Sequence, residues 1–401
     1  MQGLLDGTVV LLLAGGKGER LLPLTEQRPK PMVPFGGKYR IIDFVLSNCL
    51  HSNLNKIYVL SRYEPYSLNR HLSLGWNIFN SERDEFLRVL LPRPAKDSSD
   101  FPGTAGEIYQ NIQSLRGDNP RYIVVLSGDQ IYQMDYRNLL QFHLERKAIL
   151  TIGAVEVNRE TAKRSGVLAI NRKMEVVRFK EKPTDPKPLP GQKERFLASM
   201  GIYVFNFEDI VDALEIDMAN EGSNHDFGRD VIPEMLKNGK RIVAFPFCDE
   251  ATGQTAYWQD VGTIESYFNA NMGLLEVVPT LDLYRKDWPL RTRPRQLPPT
   301  KIVFHESIER SIFGEGCIID EGGIGNSILG SGVQVGKGAQ IISSILMDNV
   351  VIGEGSRVVR AIIDESNIIP SGSIIEAGNM RYEGRYVIDP SGIVVVPIQI
   401  F

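Results

Sequence analysis

The 401-residue sequence is poor in cysteine and has no long apolar run. Its three cysteines, Cys49, Cys248 and Cys317, are widely spaced and odd in number, which argues against a disulfide framework and against a CxxC metal site. No apolar run approaches the ~18 residues that a membrane span needs, and the N-terminus lacks a basic segment followed by a signal-length apolar stretch. We therefore expect a cytoplasmic protein in a reducing compartment, with no membrane partner.

A strong excess of charge is also absent. The 45 basic and 49 acidic residues are intermixed and leave a net charge of −4, which argues against nucleic acid as the main partner. An apolar content of 42% is ordinary for a globular protein, and the length allows two or three domains. No histidine is assigned to a metal, because no ligand spacing such as HExxH occurs among His51, His71, His143, His225 and His305.

The most informative stretch is residues 8–34, where an apolar run from Val9 to Leu13 predicts a buried strand. Three glycines follow at positions 15, 16 and 18, and then come Arg20 and Lys30. Glycine allows the backbone to approach a polyanion closely, and a guanidinium and an ammonium both bind phosphate oxygens. We interpret the stretch as a strand leading into a phosphate-binding loop; an ordinary glycine turn is the alternative.

Two familiar glycine motifs do not fit this loop. A P-loop requires Gly-Lys-Ser/Thr, but Lys17 is followed by Gly18 and Glu19. The dinucleotide fingerprint requires a further glycine at the position that Leu21 occupies.

An acidic residue follows a second predicted strand. The run from Arg121 to Leu126 leads directly into Ser127, Gly128 and Asp129. An open α/β sheet places its ligand crevice at the carboxyl ends of its strands, so Asp129 is a candidate metal or catalytic residue. The alternative is a turn or a helix cap, which is the role we expect for Asp135.

The remainder of the first 280 residues predicts an α/β fold whose sheet need not be purely parallel. Strands are predicted at 149–157, 166–170, 174–180, 201–205 and 241–246, with helices at 208–216 and 229–238. We interpret residues 69–100 as an irregular excursion over the sheet edge, and 103–115 as one helix after a glycine turn.

Three polar clusters lie within this region, at residues 179–183, 223–230 and 257–263. Each places charged residues next to aromatic residues and glycine or proline. Lys182 is either a site residue or a solvated surface lysine. Asp226 and Asp230 are either site residues or caps of the following helix.

The last 120 residues have a different composition. Residues 281–300 combine four prolines with several cations, which is typical of a linker carrying a basic patch. Residues 311–376 show aliphatic units with a period near six, the signature of a hexapeptide parallel β-helix. The predicted interior series is Ile318, Ile324, Leu329, Val335, Ile341, Met347, Ile352, Val358, Ile363, Ile369 and Ile375.

Taken in order, these motifs resemble those of the glucose-1-phosphate adenylyltransferase family of sugar-nucleotide pyrophosphorylases. The resemblance covers nearly the whole chain and rests on the segments LAGGKGERL, RPKPMVPFGGKYRIIDFVLSNC, SGDQIYQMDY, EKP, ASMGIYVF, HDFGRDVIP, YWQDVGTIESY and WPLRT. It implies an α/β protein with a Rossmann-like, doubly wound mixed-sheet nucleotidyltransferase domain (1–280), a linker (281–300) and a left-handed parallel β-helix (301–401) for oligomerisation and regulation.

The resemblance also implies the reaction and its participants. AMP would pass from ATP to glucose 1-phosphate with Mg²⁺, giving ADP-glucose and pyrophosphate for glycogen or starch synthesis. The implied partners are these substrates, an anionic allosteric effector, and further copies of the chain in a homotetramer or a related subunit in a hetero-oligomer.

Site residues carry over at matching positions. Catalysis would involve Arg20, Lys30 and Asp129, with Asp129 and Asp260 as metal ligands. The nucleotide would contact Leu13, Ala14, Gly15, Gly16, Gly103 and Thr104. The sugar phosphate would contact Glu181, Lys182, Ser199, Gly201 and Asp226, and the effector Arg28, Arg291 and Arg293.

Four positions depart from the family pattern. The usual GTADA segment is GTAGE here, so that a carboxylate is lost at Gly106 and gained at Glu107. Arg62 stands where glutamine is usual, and Gln27 where an activator-linked lysine is known. These departures leave two alternatives: a non-catalytic regulatory subunit, and an enzyme for another nucleotide or sugar phosphate.

Overall fold

A nine-stranded sheet forms the centre of the N-terminal part in the computed structural model, which describes residues 2–91, 103–249, 252–379 and 384–401. The strands of this part are β1 (Thr8–Leu13), β2 (Pro34–Phe35), β3 (Tyr39–Arg40), β4 (Lys56–Leu60), β5 (Phe86–Leu90), β6 (Tyr122–Ser127), β7 (Gln130–Tyr132), β8 (Leu150–Val157), β9 (Gly166–Ile170), β10 (Val176–Glu181), β11 (Phe196–Asn206), β12 (Ile242–Pro246) and β13 (Trp258–Asp260). The helices are α1 (Gln2–Asp6), α2 (Ile41–His51), α3 (Pro65–Gly75), α4 (Gly103–Tyr109), α5 (Ile112–Arg116), α6 (Tyr136–Glu145), α7 (Arg159–Ala162), α8 (Phe207–Met218), α9 (Ile232–Lys237) and α10 (Ile264–Met272).

The sheet is mixed, as predicted. Its main order is β10-β9-β11-β6-β1-β4-β5, with β8 on β11 and β12 on β8. β1 lies parallel between β6 and β4, whereas β11 runs antiparallel to β6. The carboxyl ends of β1, β4 and β6 therefore meet at one edge, where the glycine loop and Asp129 follow.

Helices cover both faces of this sheet. Val9 and Leu11 point into one core with α4, α5, α8 and α9, whereas Val10 and Leu12 point into another with α2, α3 and α6. Alternate residues of a strand face opposite sides, so an uninterrupted apolar strand is stable only when both sides are covered. None of the helices in the described ranges is long and apolar enough to cross a bilayer.

Two predictions for this part are wrong. Residues 69–90 are not irregular: they include most of α3, and β5 adds a parallel edge strand to β4, while 92–100 lie outside the described residues. An edge strand is only half covered, so its sequence lacks the apolar continuity of β1. The predicted helix at 103–115 is two helices, α4 and α5.

The C-terminal part is the predicted left-handed parallel β-helix. Its strands are β14 (Lys301–Glu309), β15 (Ile312–Phe313), β16 (Ile318–Gly325), β17 (Ile328–Leu329), β18 (Gln334–Val335), β19 (Ala339–Ile342), β20 (Ile345–Leu346), β21 (Val351–Ile352), β22 (Arg357–Val359), β23 (Ala361–Ile363), β24 (Ile368–Ile369), β25 (Ile374–Ile375), β26 (Val387–Ile388) and β27 (Val394–Val396). Successive coils pair in parallel, so that Val335, Ile352 and Ile369 stack 17 residues apart.

Two residues of the predicted interior series point elsewhere. The interior contains Ile319 and Leu346, whereas Ile318 is 45% exposed and Met347 packs toward the N-terminal part. The coil from Val335 to Ile352 has sides of six, five and six residues, and the coil from Ile319 to Val335 has only 16 residues, so a strict six-residue count slips by one position.

The two parts share an apolar contact. Ile328, Ile345 and Ile362 on one face of the β-helix pack in a cluster that also contains Phe35 and Phe44. Residues 281–300 contain no helix or strand, and residues 288–291 lie against α2. They are held there by hydrogen bonds such as Trp288 Nε1 to Asn48 Oδ1 (3.0 Å) and Arg291 N to Ser47 Oγ (2.9 Å).

Candidate active site

A buried lysine joins two carboxylates at the edge of the sheet. Lys30 Nζ lies 3.0 Å from Asp129 Oδ2 and 2.8 Å from Asp260 Oδ1, and the Lys30 side chain is only 6% exposed. Asp129 follows β6, and Asp260 ends β13, which pairs with β7 so that Asp260 lies opposite Gln130. Three predicted site residues, distant in sequence, thus converge at one point.

The charges of this cluster stabilise one another. Burial alone would raise the pKa of Asp129, but the Lys30 ammonium and the Ser127 hydroxyl, 2.6 Å from Oδ1, hold that pKa below its usual value. Burial alone would lower the pKa of Lys30, and the two carboxylates raise it instead. The cluster thus contains two carboxylates and one ammonium. The Arg20 side chain is half exposed, and its Nη2 lies 3.8 Å from Asp260 Oδ2.

The glycine loop crosses between the ends of β6 and β4. Ala14 N donates to Leu60 O (2.8 Å), and Gly128 N donates to Leu13 O (2.9 Å). At Gly15 a Cβ would lie 3.0 Å from Glu107 Oε1 and 3.1 Å from Arg62 N, so a side chain would be crowded there.

A Cβ at Gly16 would meet nothing within 4 Å. The loop is therefore crowded on the side of α4 and open at the next residue, as a ligand-binding loop requires.

Gly103 and Thr104 connect this loop region with the second polar cluster. Gly103 has φ of +85°, and a Cβ there would lie 2.3 Å from His225 O. The Thr104 hydroxyl donates to Asp226 Oδ2 (3.4 Å). The predicted nucleotide and sugar-phosphate residues are therefore neighbours at the start of α4.

The predicted sugar-phosphate residues contain one ion pair and one cap. Lys182 Nζ lies 3.3 Å from Glu181 Oε1, and its side chain is 54% exposed, in line with the surface alternative. Burial raises the pKa of Glu181 in spite of Lys182. Asp226 Oδ1 accepts hydrogen bonds from the backbone N–H groups of residues 228 (2.9 Å) and 229 (3.0 Å), so the cap interpretation of Asp226 is confirmed.

A bulge in β11 brings the remaining two residues toward Asp129. Gly201 has φ of +67°, and its N–H donates to Ser199 Oγ (3.1 Å). A Cβ at Gly201 would lie 3.5 Å from Cβ of Ser127, whose hydroxyl donates to Asp129. Gly201 therefore lies next to the Ser127 side chain that holds Asp129.

Two of the three predicted effector arginines, Arg28 and Arg293, line one pocket, and Arg291 lies outside it. Arg28 is buried and pairs with Asp364 and, at 2.6 Å, with Glu365 of the β-helix. Arg291 Nε donates to Gly75 O (3.0 Å), and its guanidinium lies over the Trp76 ring. Arg293 lines a pocket of about 230 Å³ between the two parts of the chain, and Arg291 does not.

This pocket has an excess of cations that the linker sequence alone did not reveal. Lys38, Arg40, Arg70 and Arg295 line it with Arg28 and Arg293. Burial and the neighbouring guanidinium groups, first that of Arg70, lower the pKa of Arg293. Only spatial proximity shows this set, because its members come from three segments that are distant in sequence.

Comparison with known proteins agrees with this arrangement. Residues 9–277 match the nucleotidyl transferase family model, and residues 298–396 match that of the GlmU-like C-terminal hexapeptide. The chain is 46% identical to glucose-1-phosphate adenylyltransferase 2 of Alkalilimnicola ehrlichii over 83% of its own length and 80% of the relative's. It is 44% identical to glucose-1-phosphate adenylyltransferase 2 of Vibrio cholerae over 85% of both chains.

The chain belongs to the glucose-1-phosphate adenylyltransferase family. A third member, from Nitrosococcus oceani, is 43% identical over 84% of this chain and 81% of its own. Nucleotidyltransferases of this kind generally use a divalent metal. The cluster of Lys30, Asp129 and Asp260 lies within residues 9–277, which match the nucleotidyl transferase family model.

Proposed function

We propose that the chain transfers AMP from ATP to glucose 1-phosphate, forming ADP-glucose for glycogen or starch synthesis. A phosphate oxygen of glucose 1-phosphate attacks the α-phosphorus of ATP. The bond to the bridging oxygen breaks, and pyrophosphate leaves with the electron pair. The observation that carries the proposal is the convergence of Lys30, Asp129 and Asp260 beside the open glycine loop.

Asp129 and Asp260 suit Mg²⁺, which binds through one or two carboxylates together with substrate phosphates and water. In the described ranges no group of three or more histidine, cysteine or acidic side chains is placed to hold a metal, so phosphate oxygens would complete the coordination. When bound, the ion would neutralise charge on the phosphates.

The protein's own groups supply position and charge. Arg20 and Lys30 stabilise the leaving pyrophosphate, and Lys182 binds the sugar phosphate. Glu181 and Ser199 contact the glucose hydroxyls. Phosphoryl transfer depends mainly on alignment and charge neutralisation, which this set provides without a protein nucleophile.

The cationic pocket is the proposed effector site. Arg293 and Arg70 come from the linker and α3, and no ion pair with a carboxylate is found for either in the described ranges. An anionic metabolite would supply the missing negative charge. Arg28 connects this pocket to the active site, because it lies two residues before Lys30 in the same loop.

We also propose the domain limits predicted from the sequence, which are 1–280, 281–300 and 301–401. We further propose that the chain is cytoplasmic, forms a homotetramer and is controlled by such a metabolite.

The deciding experiment is pyrophosphate release by the purified chain with Mg²⁺, ATP and glucose 1-phosphate, with UTP, GTP and dTTP alongside. We expect release with ATP, and its loss in Asp129→Asn with the fold retained. Asp212→Asn, on the exposed side of α8, is the matched control. A folded tetramer that binds an anionic metabolite but releases no pyrophosphate would instead be a regulatory subunit. Near-normal activity in Asp129→Asn would contradict the metal assignment.

A further inference from the structure

The carboxyl group of Glu107 is buried without a hydrogen bond to one of its oxygens. The residue is 8% exposed, and Oε1 has no partner among the described residues. A buried acceptor without a donor costs roughly 1–3 kcal/mol, so such groups in native proteins call for an explanation. A ligand that donates to Oε1 would remove this cost.

The free oxygen lies against the nucleotide loop. It is 3.0 Å from the position that a Cβ of Gly15 would take, and the neighbouring Gly16 faces open space. Because β1 lies between β6 and β4, Asp129 is on one side of this loop. Glu107 is on the other side, with Arg62, whose N–H also lies next to Gly15. Glu107 is therefore placed for a part of the nucleotide other than the phosphates at Asp129.

The chemistry of a carboxylate narrows the choice of ligand group. An ionised carboxylate only accepts hydrogen bonds and repels phosphate, so its partner must be an N–H or O–H donor. The hydroxyl of Ser61, one residue before Arg62, is also buried without a partner in the described ranges. A buried region with few polar groups suits the flat purine base better than the ribose, whose hydroxyls need several partners. Adenine has one donor group, its 6-amino group.

We propose that Glu107 is a specificity-determining residue whose Oε1 accepts a hydrogen bond from the 6-amino group of adenine. This assignment rests on the proposed function, which makes the bound nucleotide ATP. It gives a role to the carboxylate that the chain carries at position 107 in place of the one lost at Gly106.

The test compares ATP with purine riboside triphosphate, which lacks only the 6-amino group, and with 2′-deoxyATP. Binding is measured by titration calorimetry and turnover by pyrophosphate release, for the wild type, Glu107→Met and Glu107→Gln. We expect the wild type to prefer ATP over purine riboside triphosphate by about 10- to 100-fold. Glu107→Met should bring this ratio close to one without changing the ratio of ATP to 2′-deoxyATP.

Three other outcomes distinguish the base assignment from the alternatives. Equal use of ATP and purine riboside triphosphate by the wild type would overturn it without any variant. A change confined to the 2′-deoxyATP ratio in Glu107→Met would assign Glu107 to the ribose instead. A chain that shows the expected binding ratios but releases no pyrophosphate would keep the base assignment and lose the proposed activity.

Discussion

Replacing Glu107 by glutamine should stabilise the ligand-free protein above neutral pH and have little effect in acid. Burial raises the pKa of Glu107 from 4.5 to about 7, and the positive charge of Arg62 offsets this only in part. The folded state therefore binds a proton more tightly than the unfolded chain does. Stability linked to this group is present below about pH 4.5 and is lost as the pH rises through 7.

The size of the effect follows from the two pKa values. Each pH unit between them corresponds to about 1.4 kcal/mol, so an ionised Glu107 costs the folded state about 3 kcal/mol above pH 7. Glutamine has a similar shape and cannot ionise. It should recover most of this energy at pH 8 and less than about 1 kcal/mol at pH 5.

Thermal unfolding midpoints at pH 5 and pH 8, without nucleotide, measure the difference. Glu215→Gln, on the exposed side of α8, is the matched control and should give no pH-dependent change. The reasoning is refuted if Glu107→Gln shifts the midpoint equally at both pH values, or lowers it at pH 8. Equal shifts would mean that burial does not raise the pKa of Glu107, and a lower midpoint at pH 8 would mean that the carboxylate has a stabilising donor in the folded protein.

Two further predictions concern the sugar-phosphate residues and the cationic pocket. In Gly228→Ala the new Cβ would lie 2.7 Å from Glu181 Oε2, so we expect KM for glucose 1-phosphate to rise about tenfold while KM for ATP is unchanged; equal increases in both would contradict a local effect on Glu181. In Arg293→Met the concentration of inorganic phosphate or a sugar phosphate needed for half of its effect on activity should rise about tenfold. Arg291→Met, which loses a hydrogen bond to Gly75 and a contact with Trp76, is the control, and an equal shift in it would argue against the pocket.

Buried ion pairs connect the N-terminal part to the β-helix. Arg28 and Arg40 of the N-terminal part pair with Glu365 of the β-helix at 2.6 Å each, and Arg40 also pairs with Asp348 at 3.1 Å. Both arginines hold the pKa of Glu365 below its usual value although burial opposes this. Ion pairs are directional, whereas the apolar cluster between the two parts has little orientational preference by itself. The ion pairs therefore help to fix the orientation of the two parts.

Local sequence was sufficient for several features of this protein. The apolar run of β1 and the glycines after it predict a strand and a close backbone approach, because those properties depend on neighbouring residues. Asp129 was predictable for the same reason, since it directly follows a buried strand. The repeated aliphatic residues predicted the β-helix, although sides of five residues among those of six moved Ile318 and Met347 off the interior.

Only the tertiary structure decided the remaining features, because they depend on residues that are distant in sequence. The edge strand β5 is defined by its pairing with β4. The cations around Arg293 come together through the packing of the linker and α3 against residues 28–40. In the sequence, Glu107 looks like an ordinary polar residue of a helix. In the structure, α4 packs on the glycine loop, and the carboxyl group of Glu107 is removed from water. A sequence specifies which groups can ionise or donate, whereas burial and the presence or absence of a partner determine what each group does.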